Sequence, residues 1–503
     1  MATSTPAGSA PAREPVHLTG LLAALIGLAL VLLLPRPEGL PVAGQIMLGL
    51  LLFSVILWVT EAVDYAISAV LITALMAFLL GLAPNATKPE ALLGTGPALT
   101  LALGGFANTA LALVAAACFI SAAMTITGLD KRIALFILSL VGARTKRVVI
   151  GAILVGIVLS FLVPSTTARV ACLVPIVMGI ILAFGMDKRS RFAGLLMIAT
   201  AQAASIWNVG VKTAAAQNMV AIGFIEKAFG QTITWLDWLI AAAPWSIGMS
   251  IALYFVMTRM MPPETEEIAG GKETIRQALR ALGPMTGAEW RLLFIMLTLL
   301  GLWATEKVLH PFDTSSTTIA AIALMFTPGI GVMGWKQAQS KIPWGTIVLF
   351  GTGISLGTAL LQTKAAAWLA NIIVANLGLA GASAFMILAL LSLFLIVVHL
   401  GFASATALAS AMIPIMISVL QQIAGGPDAA SLNLIGMTML LQFVVSFGFI
   451  LPVNAPQNMV AYGTDTFSVK DFVRTGLVLT VIGYALVLLL GATYWSWMGY
   501  LKH

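Results

Sequence analysis

Gln217-Asn218-Met219-Val220-Ala221 recurs letter for letter as Gln457-Asn458-Met459-Val460-Ala461, 240 residues later. Two more pairs keep the same order. Leu57-Trp58-Val59-Thr60-Glu61 returns as Leu302-Trp303-Ala304-Thr305-Glu306, an offset of 245. Ser165-Thr166-Thr167-Ala168, with Pro175-Ile176 beyond it, returns as Ser404-Ala405-Thr406-Ala407 with Pro414-Ile415, an offset of 239. One match in so apolar a chain is weak; three in order at nearly one spacing mark an internal duplication. The sequence divides into repeat 1 (38–261), a polar linker (262–284) and repeat 2 (285–503).

Around this duplication the composition is that of a membrane protein. The 503 residues are 60% hydrophobic and 9% charged, where a soluble domain carries about 25% charged residues. A soluble enzyme, a disordered chain and a nucleic-acid reader are excluded. Ten-residue alternating segments, the mark of a β-barrel, are missing, so the expectation is an all-α polytopic protein of about 11 transmembrane helices at roughly 20 residues each. The net charge of +7 falls mostly in short loops, where Lys and Arg orient helices. Cys118 and Cys172 lie in apolar runs and read as packing residues. Residues 1–17 read as a disordered cytoplasmic tail and 18–37 as an uncleaved first helix, since Pro35-Arg36-Pro37 replaces a small-residue cleavage site.

Residues 148–184 are two apolar arms about Pro164-Ser165-Thr166-Thr167, with basic clusters at both flanks (Arg144, Lys146, Arg147; Lys188, Arg189, Arg191). Two basic flanks belong on one side of the membrane, so this segment is expected to be a re-entrant hairpin. Five crossings then remain in repeat 1, an odd number, and repeat 2 must be inverted. Its hairpin, 385–420 about Ser404, has no Lys or Arg in its flanks 376–383 and 421–428, as inversion requires. Each repeat also breaks a helix, 192–229 and 432–462, in an Asn-containing stretch. Broken backbone at membrane depth is tolerated only where it is buried or lines a cavity. Hairpin tips offer helix N-termini and hydroxyls to an anion, while unwound carbonyls suit a cation. The pattern is that of a secondary transporter.

The Leu-Trp-x-Thr-Glu segments, the paired hairpins, Pro175, Pro414, Asn218 and Asn458 resemble the divalent anion/sodium symporter family from about residue 40 to the C-terminus. The resemblance implies an elevator-type homodimer that carries dicarboxylates, citrate or sulfate. It implies substrate binding between two tips, here Ser165, Thr166, Thr167 and Ser404, Ala405, Thr406, with Asn454 and Pro456 of the second break. A sodium ion would lie beside each tip, near Thr166 and Ala405, with Asn208 and Ala214 at the first cation site. The organic anion and the lipid bilayer are the expected partners, a bacterial inner membrane the location, and no other cofactor is implied.

This chain departs from the family pattern. Both tip asparagines are replaced, by Thr166 and Ala405. The break segments read Ala214-Ala215-Ala216-Gln217-Asn218 and Asn454-Ala455-Pro456-Gln457-Asn458. Cationic residues appear beside them: Lys212 in the first break, His399 five residues before Ser404, and Arg169 just after the first tip. Lys212 and His399 are read as tethered cations standing in for sodium, which favours obligatory anion exchange over sodium- or proton-coupled symport. The plainer readings stay open: His399 as a packing residue, Lys212 snorkelling to an interface, Arg169 pairing either a substrate carboxylate or an acid such as Asp64 or Glu61. Glu61 and Glu306 read as structural partners at helix ends. A membrane enzyme would need a metal cluster or a nucleophile–base pair, and histidines at 17, 310, 399 and 503 form no such cluster. A channel would need a continuous polar pore or charge rings, whereas here polar groups gather at two tips and two breaks.

Overall fold

The structure is a computed structural model that describes residues 17–85, 88–142, 144–266, 271–425 and 432–502. Except for His17, the expected N-terminal tail lies outside the described residues. The described residues form helices and isolated bridges, with no β-strand. Nine helices among them are long and apolar enough to cross a membrane.

The first half contains α1 (Leu18–Leu33), α2 (Val42–Thr60), α3 (Tyr65–Gly81), α4 (Thr95–Leu103), α5 (Thr109–Thr127) and α6 (Leu129–Val141). Helices α7 (Thr145–Leu162) and α8 (Thr166–Ala183) then flank the first tip. Next come α9 (Arg191–Gly210), a 3-10 turn at Lys212–Ala214, α10 (Ala216–Phe229) and α11 (Trp235–Met260). The polar linker holds α12 (Gly271–Arg280).

The second half contains α13 (Gly287–Ala304), α14 (Thr314–Phe326), the short α15 (Trp335–Gln339), α16 (Trp344–Gln362) and α17 (Ala365–Leu377). Helices α18 (Ala384–His399) and α19 (Ala405–Ala424) flank the second tip. Helix α20 (Leu434–Val445), a 3-10 turn at Pro452–Asn454 and α21 (Pro456–Tyr462) follow, before α22 (Val469–Ala492) and α23 (Tyr494–Trp497).

The duplicated residues have duplicated local jobs. Ser165 caps α8 by accepting from the Ala168 N–H at 3.3 Å, and Ser404 caps α19 by accepting from Ala407 at 3.4 Å. Each satisfies one of the amides that a helix start leaves open. Asn218 Nδ2 donates to the Asn208 carbonyl at 2.7 Å, and Asn458 Nδ2 donates to the Gly448 carbonyl at 2.8 Å. Those carbonyls lie at the interrupted helix ends, where no N–H four residues on can reach them. The asparagine of each Gln-Asn-Met-Val-Ala motif therefore makes the break affordable in an apolar interior. The Leu-Trp pair is likewise used twice: Trp58 Nε1 donates to Ser68 Oγ at 3.2 Å and Trp303 Nε1 to Thr318 Oγ1 at 3.1 Å.

Burial places the broken helices at the centre. Helix α9 is buried from Phe192 to Gly210, and α10, α19 and α20 are largely buried, whereas α1 and α13 expose wide apolar faces. Gln202 Nε2 on α9 finds its acceptor across the repeat boundary, at the Phe449 carbonyl 3.1 Å away. Helix α16 approaches this core closely because Gly353 and Gly357 face Ser410, Pro414 and Phe224, where an added Cβ would overlap their atoms.

Candidate functional site

Both tips and both breaks open onto one cavity of about 500 Å³. Ser165, Thr166 and Thr167 line it from the first tip, and Ser404, Ala405 and Thr406 from the second. Asn208, Thr213, Ala215 and Gln217 come from the first break and Ser446, Ala455, Pro456 and Gln457 from the second. The remaining wall is built by α3 (Tyr65), α5 (Val114, Ala117, Cys118, Ser121) and the segment 341–349. Helices α8, α10 and α19 all begin at this wall, which brings three sets of first-turn amides to one space. Among the described residues the wall contains no Asp or Glu, and Lys341 is its one Lys or Arg. Hydroxyls, amides and helix starts with no carboxylate make a lining suited to an anion.

The two glutamines of the repeated motif cross between halves. Gln217 Nε2 donates to Ser446 Oγ at 3.2 Å, and Gln457 Nε2 donates to Ser205 Oγ at 3.0 Å. Each half thus braces the break of the other. The repeat points to Gln217 and Gln457, though not to their place in the site; Tyr65, Cys118, Ser121 and Lys341 carry no such sequence signal.

Five of the singled-out residues stand behind this wall. Arg169 is fully buried, one helical turn beyond Thr166. Its guanidinium donates to the carbonyls of Val163 (2.7 Å), Ala214 (3.0 Å) and Ala204 (3.3 Å), and to Asn208 Oδ1 (2.6 Å). Thr166 Oγ1 also donates to Asn208 Oδ1, at 2.6 Å. Arg169 is therefore held by a nest of oxygens shared between the tip and the break, Ala214 among them, rather than projecting into the cavity or meeting Asp64 or Glu61.

The second half solves the same junction differently. Asn454, at the position corresponding to Ala214, donates from Nδ2 to the carbonyls of His399 (3.0 Å) and Phe402 (2.9 Å) and accepts from the Leu451 N–H at 3.1 Å. His399 is buried, with Nε2 3.4 Å from the Asn454 carbonyl and Nδ1 without a hydrogen-bond partner. Lys212 takes another course: it is buried, and its ammonium donates to the Ile233 carbonyl at 2.7 Å, on the approach to α11. It neither snorkels to an interface nor reaches a tip. Glu306 accepts from Thr314 Oγ1 at 2.7 Å and from the Trp235 N–H at 3.3 Å, a structural role. The described residues hold no group of three or more His, Cys, Asp or Glu side chains able to bind a metal ion.

Comparison with known proteins agrees with this architecture. The family described as the sodium:sulfate symporter transmembrane region matches residues 16–501. A membrane protein of Cupriavidus necator is 56% identical over 481 residues, covering 96% of this chain and 93% of that protein. The citrate/succinate antiporter of Escherichia coli K12 is 26% identical, covering 94% of this chain and 96% of its own. The sodium-dependent dicarboxylate transporter SdcS of Staphylococcus saprophyticus is 25% identical, covering 94% and 90%. Among solved structures, MtrF of Neisseria gonorrhoeae superposes with a TM-score of 0.53 at 13% identity, covering 87% of this chain and 94% of that one, a likeness of fold. With a match that runs through nearly its whole length, the chain belongs to the sodium:sulfate symporter family and is a multi-pass membrane transporter, not an enzyme.

Proposed function

We propose that this protein is a secondary active transporter of organic anions of the di- or tricarboxylate class, working by anion exchange without sodium in a bacterial inner membrane. The observation that carries the reading is the cavity between the two tips, lined by hydroxyls, amides and one lysine and free of carboxylates among the described residues, with a buried cationic side chain behind the first tip and a histidine behind the second. The names of two relatives, a citrate/succinate antiporter and a sodium-dependent dicarboxylate transporter, support the substrate class and leave both coupling modes in the family.

Arg169 supports exchange in particular. Its donors occupy carbonyl and amide oxygens that would otherwise be free to coordinate a mobile cation. A guanidinium is planar, permanently charged and weakly hydrated, so it fills such a nest without leaving it. His399 faces the Asn454 carbonyl at the matching junction and is the second tethered group, while Lys212 adds a buried charge deeper in the first break. A dissociable sodium ion can be released when the site empties; a tethered cation cannot. The empty site then keeps its positive charge, and its passage through the apolar barrier is costly, by several kcal/mol for a charge at the bilayer centre. Carriage of an anion in each direction removes that cost. The tips and breaks would travel as a unit, in the elevator manner and as a homodimer.

The direct test is binding in detergent solution. Succinate, malate or citrate should raise the unfolding temperature of the purified protein equally in sodium and in potassium buffers. Stabilisation that requires sodium would point to symport instead.

A further inference from the structure

We infer that Lys341 is a specificity-determining residue of this cavity: its ammonium holds the second anionic group of the substrate and makes the site select dianions over monoanions. The inference rests on the anion-transport reading above and adds to it the residue that counts the substrate's charges.

Two sets of elements build the cavity wall. The tips and breaks contribute hydroxyls, amides and helix starts; α3, α5 and the turn before α16 contribute the rest. Lys341 belongs to the second set, in that turn, and is the wall's one Lys or Arg. Arg169, Lys212 and His399 are closed off by their own partners or by burial, so none of them can meet a substrate carboxylate in this arrangement.

The Lys341 ammonium is free for this task. Its backbone N–H is spent on the Ala338 carbonyl at 2.8 Å, and its side chain is exposed with no ion-pair partner among the described residues. The acids at the start of α3, where Asp64 lies close to Gly345 of this segment, are engaged elsewhere. Asp64 caps α3 through the Ala66 N–H at 2.7 Å, and Glu61 accepts from the Tyr65 hydroxyl at 3.4 Å. A lysine with no ion-pair partner, on the wall of an otherwise uncharged, acid-free cavity, is a ready partner for a carboxylate. The cavity, about 500 Å³, has room for a ligand longer than one carboxylate, so one end can sit at the tips while the other meets Lys341.

The test uses the full-length protein in proteoliposomes loaded with succinate, with labelled succinate outside and two competitors: unlabelled succinate and succinamate, which has the same skeleton with one charge fewer. Lys341→Gln should weaken competition by succinate about tenfold, the scale of one charge-assisted contact, and leave that by succinamate unchanged. Lys341→Arg should restore the preference for succinate. Equal weakening of both competitors, or no change in either, overturns the assignment while leaving the transport reading intact. A wild-type protein that shows no counterflow of any di- or tricarboxylate overturns both.

Discussion

Arg169 Nη2 donates a 2.6 Å hydrogen bond to Asn208 Oδ1, joining the helix that follows the first tip to the helix that precedes the first break. The same oxygen accepts from Thr166 at 2.6 Å, so one amide oxygen fixes both the tip and the cation behind it. Asn208→Ala removes an acceptor from a buried charge. Breaking a buried charged pair costs about 3–5 kcal/mol, and loss of this neutral acceptor is expected toward the lower end of that range. The unfolding temperature in detergent should fall by several degrees. Arg169→Met should abolish exchange, because the carbonyls of Val163, Ala204 and Ala214 would lose their donor together.

Asn218→Asp and Asn458→Asp test the two breaks. Each change keeps the shape of the side chain but removes the donor that serves Asn208 O or Gly448 O. A buried carbonyl left without its partner costs about 1–3 kcal/mol, and a buried carboxylate adds to that. Both variants should express poorly or melt early, and in similar degree. A large loss in one with none in the other would mean that the repeated motif does different work in the two halves.

Helix α16 gives a packing prediction. Gly353 and Gly357 lie against Ser410, Pro414 and Phe224 so closely that a methyl group has no space. Gly357→Leu should therefore push α16 away from α19 and α10, and overpacking of this kind costs about 1–3 kcal/mol or more. Transport and thermal stability should both fall, while Gly334→Leu, at a position with open space around its Cβ, should change neither.

How much of this was legible in the sequence differs between the junctions and the charges. The repeated pentapeptide located both breaks, and the Ser-x-Thr pair located both tips, because capping and break satisfaction are local needs that recur wherever the backbone is interrupted. The destinations of the cations were not local. Arg169 lies three residues beyond Thr166 on one helix, so its side chain turns back behind the tip, a direction set by packing against α9 and the break. Lys212 lies in a 3-10 turn whose neighbours at the start of α11 claim its ammonium. The second junction uses Asn454 where the first has Ala214, so the duplication predicts the place and not the chemistry. Lys341 gave no sequence signal, since a lysine in a polar turn looks like an ordinary surface residue until the cavity is drawn around it.

Asp465 supplies a contrasting surface case. Hydrogen bonds from Arg189 at 2.6 Å and Lys188 at 3.2 Å hold its carboxyl below the usual aspartate value. A lowered folded-state value means that its contribution is present above the unfolded-state value and is lost as pH falls through the lowered one. All three side chains are exposed, so water and salt screen the pair. Asp465→Asn should show a small stability deficit near neutral pH that shrinks with added salt and vanishes in acid. A deficit that persists in acid would assign the effect to packing instead.

Counterflow in sealed vesicles tests the central claim most directly. Proteoliposomes loaded with unlabelled succinate, malate or citrate, and empty ones beside them, are given labelled anion with and without sodium outside. Tethered cations predict uptake into loaded vesicles only, at the same rate in sodium and in potassium. Sodium-driven accumulation in empty vesicles would contradict the account and return Arg169, Lys212 and His399 to structural roles.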